Sequence, residues 1–307
     1  MTTEQIKAIF QYHNLGRNPS IMRLTTGFTN EVYKVDAYIL KVCVNTSNEM
    51  NFEREVFLYR ALNGMVTIPK PFVVDTSRTL IDKYYMIYEN IEGDPVGRRW
   101  HLLTDTQRKT LVEDICRHIK HIDSFPVEEF AHKFGIRPNL VWEEEIVNSL
   151  LKALSTVSER EILSASTRQA IEKYVHETRH VLKAQKLGMV FWDVQLDNMI
   201  INGSNRLAAL IDFEGVSIAS VDYRLIIIKM MSERPHLFMS EEMEAYAAVE
   251  DYKYLMEWYK EFYPELFDFP DLDKRLDLYE LREILHKLPD WPKTRGLHDR
   301  LTRILEK

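Results

Sequence analysis

Asp193 and Asn198 stand five positions apart in Phe191-Trp192-Asp193-Val194-Gln195-Leu196-Asp197-Asn198, and Ile211-Asp212-Phe213-Glu214-Gly215 brings further carboxylates soon after. One carboxylate to take a hydroxyl proton, with an asparagine and a second carboxylate to hold Mg²⁺, is the oxygen-rich set that phosphoryl transfer requires. Two apolar runs lie between the pieces, Met199-Ile200-Ile201 and Leu207-Ala208-Ala209-Leu210-Ile211, joined by Asn202-Gly203-Ser204-Asn205-Arg206. That pattern predicts a β-hairpin whose return sets Asp212 beside Asn198. By themselves Asp and Asn are common in turns, and Asp-Phe-Glu-Gly also suits an ordinary strand exit. The upstream sequence gives them their weight.

The flanks Ser20-Ile21-Met22-Arg23 and Glu31-Val32-Tyr33-Lys34-Val35 alternate as strands around a turn that contains Gly27-Phe28-Thr29-Asn30. Such a strand-turn-strand can cover a nucleotide with backbone N–H groups facing phosphate oxygens. A single charge, Lys41, then interrupts the β-rich run Tyr38-Ile39-Leu40-Lys41-Val42-Cys43-Val44. Burying that ammonium requires an anion, either phosphate or carboxylate. In residues 51–62 the helical stripe of Phe52, Val56, Tyr59 and Leu62 includes Glu55 and excludes Glu53. The expectation is that Glu55 turns inward to Lys41 while Glu53 stays in solvent. A third run, ending Tyr88-Glu89, leads into Asn90-Ile91-Glu92-Gly93-Asp94-Pro95, a hinge-like break. Beyond it, long helical patterns dominate. The expected fold is α+β in two lobes, a small antiparallel-sheet lobe with one helix over 1–91 and a larger helical lobe over 92–307.

Taken together these residues resemble the aminoglycoside phosphotransferase family, with its choline, fructosamine and methylthioribose kinase relatives of protein-kinase-like fold. Gly27-Phe28-Thr29-Asn30 is similar to the family's nucleotide loop, Leu40-Lys41-Val42 to its third strand, and Arg54-Glu55 to the following helix. Met86-Ile87-Tyr88-Glu89 resembles the adenine-contacting hinge, and His121-Ile122-Asp123 the end of the first long helix of the larger lobe. The resemblance implies ATP or GTP as donor, bound by Gly27, Phe28, Thr29, Asn30, Lys41, Glu55, Tyr88 and Glu89. It also implies Mg²⁺ on Asn198 and Asp212, with Asp193 as catalytic base. Asp197 is expected to serve the loop's own hydrogen bonds. Two positions depart from the family's pattern: Phe191 and Gln195 replace the histidines two before and two after the catalytic aspartate. Asp222 aligns either way and is a candidate support residue.

The chain has 307 residues, enough for a two-lobed unit with a real core, and a net charge of −7 that argues against a nucleic-acid partner. Its start has neither the basic opening nor the apolar stretch of a signal peptide. The greasiest segment, Leu225-Ile226-Ile227-Ile228, is too short to span a bilayer, so a cytoplasmic location is expected. Cys43 and Cys116 read as reduced core residues. Two regions are candidates to line an acceptor pocket: residues 141–183, and the carboxylate- and aromatic-rich tail with Glu241-Glu242, Glu250-Asp251-Tyr252, Trp258-Tyr259 and Asp268-Phe269-Pro270-Asp271. Acidic groups beside aromatic rings suit an amino sugar or a quaternary ammonium. The expected activity is a kinase acting on a hydroxyl of an aminoglycoside-like, sugar or amino-alcohol acceptor; the alternative is a catalytically idle, kinase-shaped binding protein.

Overall fold

Strand alternation in the first third of the chain is realised as a five-stranded antiparallel sheet. The computed structural model describes residues 1–25 and 30–307; Gly27, Phe28 and Thr29 of the expected nucleotide loop lie outside the described residues. A helix, α1 (Thr3–Tyr12), precedes β1 (Ile21–Thr25), β2 (Asn30–Val35) and β3 (Tyr38–Cys43). Helix α2 (Glu49–Ala61) leads to β4 (Val73–Asp75) and β5 (Tyr85–Glu89), and the sheet order is β1-β2-β3-β5-β4.

Period-two geometry explains why β3 reads as almost unbroken apolar residues. Leu40 and Val42, with Tyr85 and Ile87 of β5, face α1 and pack with its Ile6, Ile9 and Phe10. Ile39 and Cys43, with Met86 and Tyr88, join the larger core that contains Phe52, Val56 and Tyr59 of α2. Lys41 shares the face of Ile39 and Cys43. Helix α1 is a further element of the small lobe, beyond the one helix expected there. It opens with a capping box in which Thr2 and Gln5 satisfy each other's backbone N–H groups.

After β5 the chain makes a short strand, β6 (Asp94–Pro95), and becomes mainly helical. The helices are α3 (Val96–Arg99), α4 (Asp105–Asp123), α5 (Val127–Phe134), α6 (Trp142–Glu159) and α7 (Ala165–Thr178). Strand β7 (Leu187–Val190) precedes the predicted hairpin, β8 (Met199–Ile201) and β9 (Leu207–Leu210), and then comes β10 (Ser217–Ser220). Helices α8 (Leu225–Glu233), α9 (Leu255–Phe262), α10 (Leu272–Lys287) and α11 (Arg295–Leu305) complete the chain. The hairpin pairs Met199 with Leu210, β6 adds to its β8 edge, and β7 pairs with β10. Cys43 and Cys116 are both buried and free. Among the described residues no helix is long and apolar enough to cross a membrane.

Gly93 connects the sheet to this second region at φ +141°, a backbone state that side chains disfavour. A Cβ there would meet the Ile201 carbonyl oxygen at 2.4 Å and Ile200 Cγ2 at 2.7 Å. The hinge glycine therefore lies directly against the hairpin that carries the expected site. Gly93→Ala is expected to destabilise the protein by roughly 1–3 kcal/mol, the usual cost of a strained backbone well. Urea unfolding midpoints of the two proteins measure it; an unchanged midpoint would mean that the contact with β8 is soft.

Candidate active site

Lys41 is the meeting point of three segments. Its Nζ lies 2.7 Å from Glu55 Oε2, 3.0 Å from Asp212 Oδ1 and 3.2 Å from Glu214 Oε1. Glu55 is fully buried on the apolar stripe of α2, and Glu53 is exposed, the division expected from helical spacing. Both Glu55 oxygens are occupied: Oε2 by Lys41, Oε1 by the Tyr59 hydroxyl at 2.7 Å and the Phe213 amide at 3.1 Å. The Tyr59 hydroxyl in turn accepts from the Asp212 amide at 3.0 Å. Burial works against the Lys41 charge, yet the combined field of Asp212, Glu55 and Glu214 holds its pKa well above the ordinary lysine value. Burial also pushes Glu55 up, to about 7, against the opposing pull of Lys41.

The hairpin brings Asp212 to Asn198 as its polar turn implied, since the Ile211 amide donates to the Asn198 carbonyl at 2.9 Å. Asp212 has φ +63°, a left-handed state that Asp and Asn tolerate better than other side chains. That bend turns the chain so that Glu214, two residues on, also reaches Lys41. Asn30 at the start of β2 donates to Glu214, tying the end of the nucleotide loop to the same cluster. Glu214 is the residue the sequence reading passed over: Asp-Phe-Glu reads as a strand exit, and only the positive φ before it aims its carboxylate inward.

Asp193 is held by two donors. Gln195 Nε2 lies 2.6 Å from Oδ1, and Asn198 Nδ2 lies 3.1 Å from Oδ2 and 3.1 Å from the Asp193 carbonyl. Gln195 thus meets the carboxylate where a histidine was expected. Burial raises the Asp193 pKa above the usual carboxylate range, with Asp212 and Glu283 adding to it and the Gln195 and Asn198 hydrogen bonds opposing. Phe191, the other departure, is fully buried and stacks on Phe213 with centroids 5.0 Å apart and planes 8° apart. The loop is therefore clamped to the Asp212 segment by an aromatic pair.

For a hard cation the donor set fits. The Asp212 side chain is 48% exposed with, among the described residues, only Oδ1 engaged, and Asn198 spends its Nδ2 on Asp193, which leaves Oδ1 as the group that can face a metal. Glu55, Asp212 and Glu214 also place carboxylate oxygens within 4.8 Å of one another. Both Glu55 oxygens already have protein partners, so Asp212 and Glu214 are the carboxylates of this group with capacity to spare.

The other expected residues separate. Tyr88 sits near Lys41 and Glu55, buried at the end of β5, whereas the Glu89 side chain points to solvent. Asp222 is fully buried, bound by Arg275 at 2.8 and 3.0 Å and by the Tyr279 hydroxyl at 2.9 Å, which makes it an anchor for α10. Asp123 pairs with Arg224 and accepts from the Tyr263 hydroxyl at 2.8 Å. Asp197 departs from expectation. Among the described residues it accepts no hydrogen bond; its carboxylate fills the space that Gly97 leaves open, and burial raises its pKa.

A cavity of about 590 Å³ opens beside the loop, with Trp192 in its wall together with Trp142, Glu144 and Glu145 of α6, Tyr223 and Arg282. Val141, Trp142, Glu144, Glu145, Ile146 and Ser149 of the first expected acceptor region therefore line it. The acidic tail does not: Asp251 pairs with Arg108 at 2.6 Å, Tyr252 and Tyr259 are core residues, and Glu241 and Glu242 are exposed outside the cavity lining. The tail's aromatic rings are spent on packing α9, which removes the juxtaposition the sequence suggested.

Comparisons with known proteins bear on the family and the fold. The sequence model of the Phosphotransferase enzyme family matches residues 20–262. A search of curated proteins gives no match. Among solved structures, ADP-bound aminoglycoside phosphotransferase APH(2'')-Ib superposes with TM-score 0.69 at 16% identity, covering 100% of this chain and 97% of that one. APH(4)-Ia gives TM-score 0.69 at 15% identity, covering 99% of each chain. A GDP and kanamycin complex of a further APH(2") enzyme gives TM-score 0.69 at 16% identity, covering 99% and 98%. At such identities the likeness establishes the fold.

Proposed function

This chain belongs to the phosphotransferase enzyme family, and from that premise we propose that it moves the γ-phosphoryl group of ATP or GTP to a hydroxyl of a small molecule. The acceptor class is aminoglycoside-like, sugar or amino-alcohol. The observation that carries the reading is the convergence of Lys41, Glu55 and Asp212 on one point, with the ammonium within 3.0 Å of both carboxylates. Lys41 binds α- and β-phosphate oxygens while Glu55 holds it in place. Gly27, Phe28, Thr29 and Asn30 are assigned to the nucleotide by the same reading, and the β5 end at Tyr88 and Glu89 to its base. Asn198 and Asp212 hold Mg²⁺, which when bound neutralises charge on the phosphates. Asp193 orients the acceptor hydroxyl and takes its proton. The domain division at residues 91 and 92 and a cytoplasmic location belong to the same reading.

The idle-binder alternative rested on Phe191 and Gln195. Phe191 packs the loop by stacking on Phe213, and Gln195 orients Asp193 by a hydrogen bond, so neither departure leaves the loop or the carboxylate unsupported. A nucleotide thermal-shift assay with and without Mg²⁺, followed by a phosphorylation screen across aminoglycosides, sugars and amino alcohols, tests the proposal. Nucleotide binding with no acceptor phosphorylated would favour the idle binder.

The helix face gives a separate check. Lys41→Ala is expected to cut nucleotide use strongly, since it strands a buried Glu55. Glu55→Gln is expected to be milder, because the amide oxygen can still accept from Lys41, although its NH₂ then faces the Phe213 amide and that bond is lost. Glu53→Gln should leave turnover as it is. A harmful Glu53→Gln beside a silent Glu55→Gln would reverse these roles.

A further inference from the structure

The cavity beside Asp193 has a charge pattern of its own. Four of its lining residues are charged, Arg137 and Arg282 against Glu144 and Glu145. A pocket built for a polycation needs a surplus of carboxylates, and here the signs are equal. One of the four, Arg282, is held differently from the rest. Arg282 Nε donates to Ser149 at 2.9 Å, and NH1 donates to the Tyr223 hydroxyl at 2.6 Å and to Glu283 at 2.9 Å. The guanidinium is therefore fixed before any ligand arrives, with NH2 making no hydrogen bond among the described residues. A preset guanidinium suits a carboxylate or phosphate oxygen better than a flexible charge does. Arg137, Glu144 and Glu145 are exposed and enter no ion pair among the described residues. The Trp142, Trp192 and Tyr223 rings give the cavity apolar walls between these groups.

We infer that the acceptor is a hydroxylated zwitterion, its anionic group held by Arg282 and Arg137 and its ammonium by Glu144 and Glu145. The inference rests on reading this cavity as the acceptor site. It separates this chain's acceptor from polycationic amino sugars.

The test is equilibrium binding to the full chain of four probes that share one carbon skeleton: glucose, glucosamine, gluconate and 2-amino-2-deoxygluconate, with kanamycin as the polycation. The zwitterion is expected to bind about 10- to 100-fold more tightly than glucosamine or gluconate, the size of one charge-assisted hydrogen-bonded contact. Arg282→Gln and Arg137→Gln should each erase the preference for gluconate over glucose; the paired Glu144→Gln, Glu145→Gln change should erase that for glucosamine. Arg137 is exposed and makes no ion pair among the described residues, so its variant reports on binding even where Arg282→Gln disturbs α10. Kanamycin or glucosamine binding most tightly, or equal or absent binding across the four probes, overturns the inference. A Mg²⁺-dependent thermal shift with ATP, read in parallel, keeps the kinase reading separate: its loss alongside an intact zwitterion preference sinks that reading, and with it the acceptor role, and leaves the cavity as a zwitterion-binding site alone.

Discussion

Asp193→Asn is expected to lower kcat by roughly 10²- to 10⁴-fold, the usual contribution of a positioned base, with little change in nucleotide affinity. The geometry sharpens the expectation. Two donors, Gln195 Nε2 and Asn198 Nδ2, already point at the two Asp193 oxygens. An amide offers one oxygen and one NH₂, so one donor is left facing another donor. The loop then loses both its base and one of its fixing bonds, while the Lys41 cluster is untouched. Asp197 is the nearest rival, and its carboxylate lies against Gly97 without a hydrogen bond among the described residues. Asp197→Asn should accordingly retain most activity. Single-turnover rates and nucleotide titrations on both variants, with one confirmed acceptor, decide the matter. A dead Asp197→Asn beside an active Asp193→Asn would move the base to Asp197.

Asp212→Asn is expected to reduce Mg²⁺-dependent turnover to background while the fold persists. Asparagine tolerates the left-handed φ of +63° at this position, so the backbone has no new reason to rearrange. Lys41 keeps Glu55 at 2.7 Å and Glu214 at 3.2 Å, so the buried ammonium stays paired. What disappears is the anionic oxygen best placed for the cation. Initial rates across a Mg²⁺ titration, with melting curves for both proteins, test this. Undiminished activity would transfer the metal role to Glu214, the other carboxylate at the same ammonium.

Much of this site was legible because its geometry follows from short-range rules. The hairpin between Met199 and Leu210 was implied by two apolar runs around a Gly-containing turn, and it alone brings Asp212 to Asn198. Glu55 rather than Glu53 followed from helical period. Helix α1 was harder to read, although Thr2 and Gln5 form a capping box. Its apolar stripe is only Ile6, Ile9 and Phe10, and its reason for existing is the second face of β3, which sequence does not display. Glu214 and the balanced charges of the cavity depend on a single positive φ and on the meeting of α6 with α10. Neither leaves a periodic trace. The tail misled because carboxylates and rings adjacent in sequence were separated by packing.

The Tyr59 hydroxyl and the Glu55 carboxylate, bonded to each other at 2.7 Å, join α2 to the backbone of Asp212 and Phe213 through two bonds of 3.0 and 3.1 Å. Swinging α2 away would strand these groups and the Lys41 ammonium together. Each such hydrogen bond is worth about 0.5–1.5 kcal/mol net of solvation, so the closed arrangement of α2 on this segment is favoured. This joint is therefore set in its paired state before any ligand arrives, so what a ligand must supply is its own fit to the cleft and not the ordering of α2.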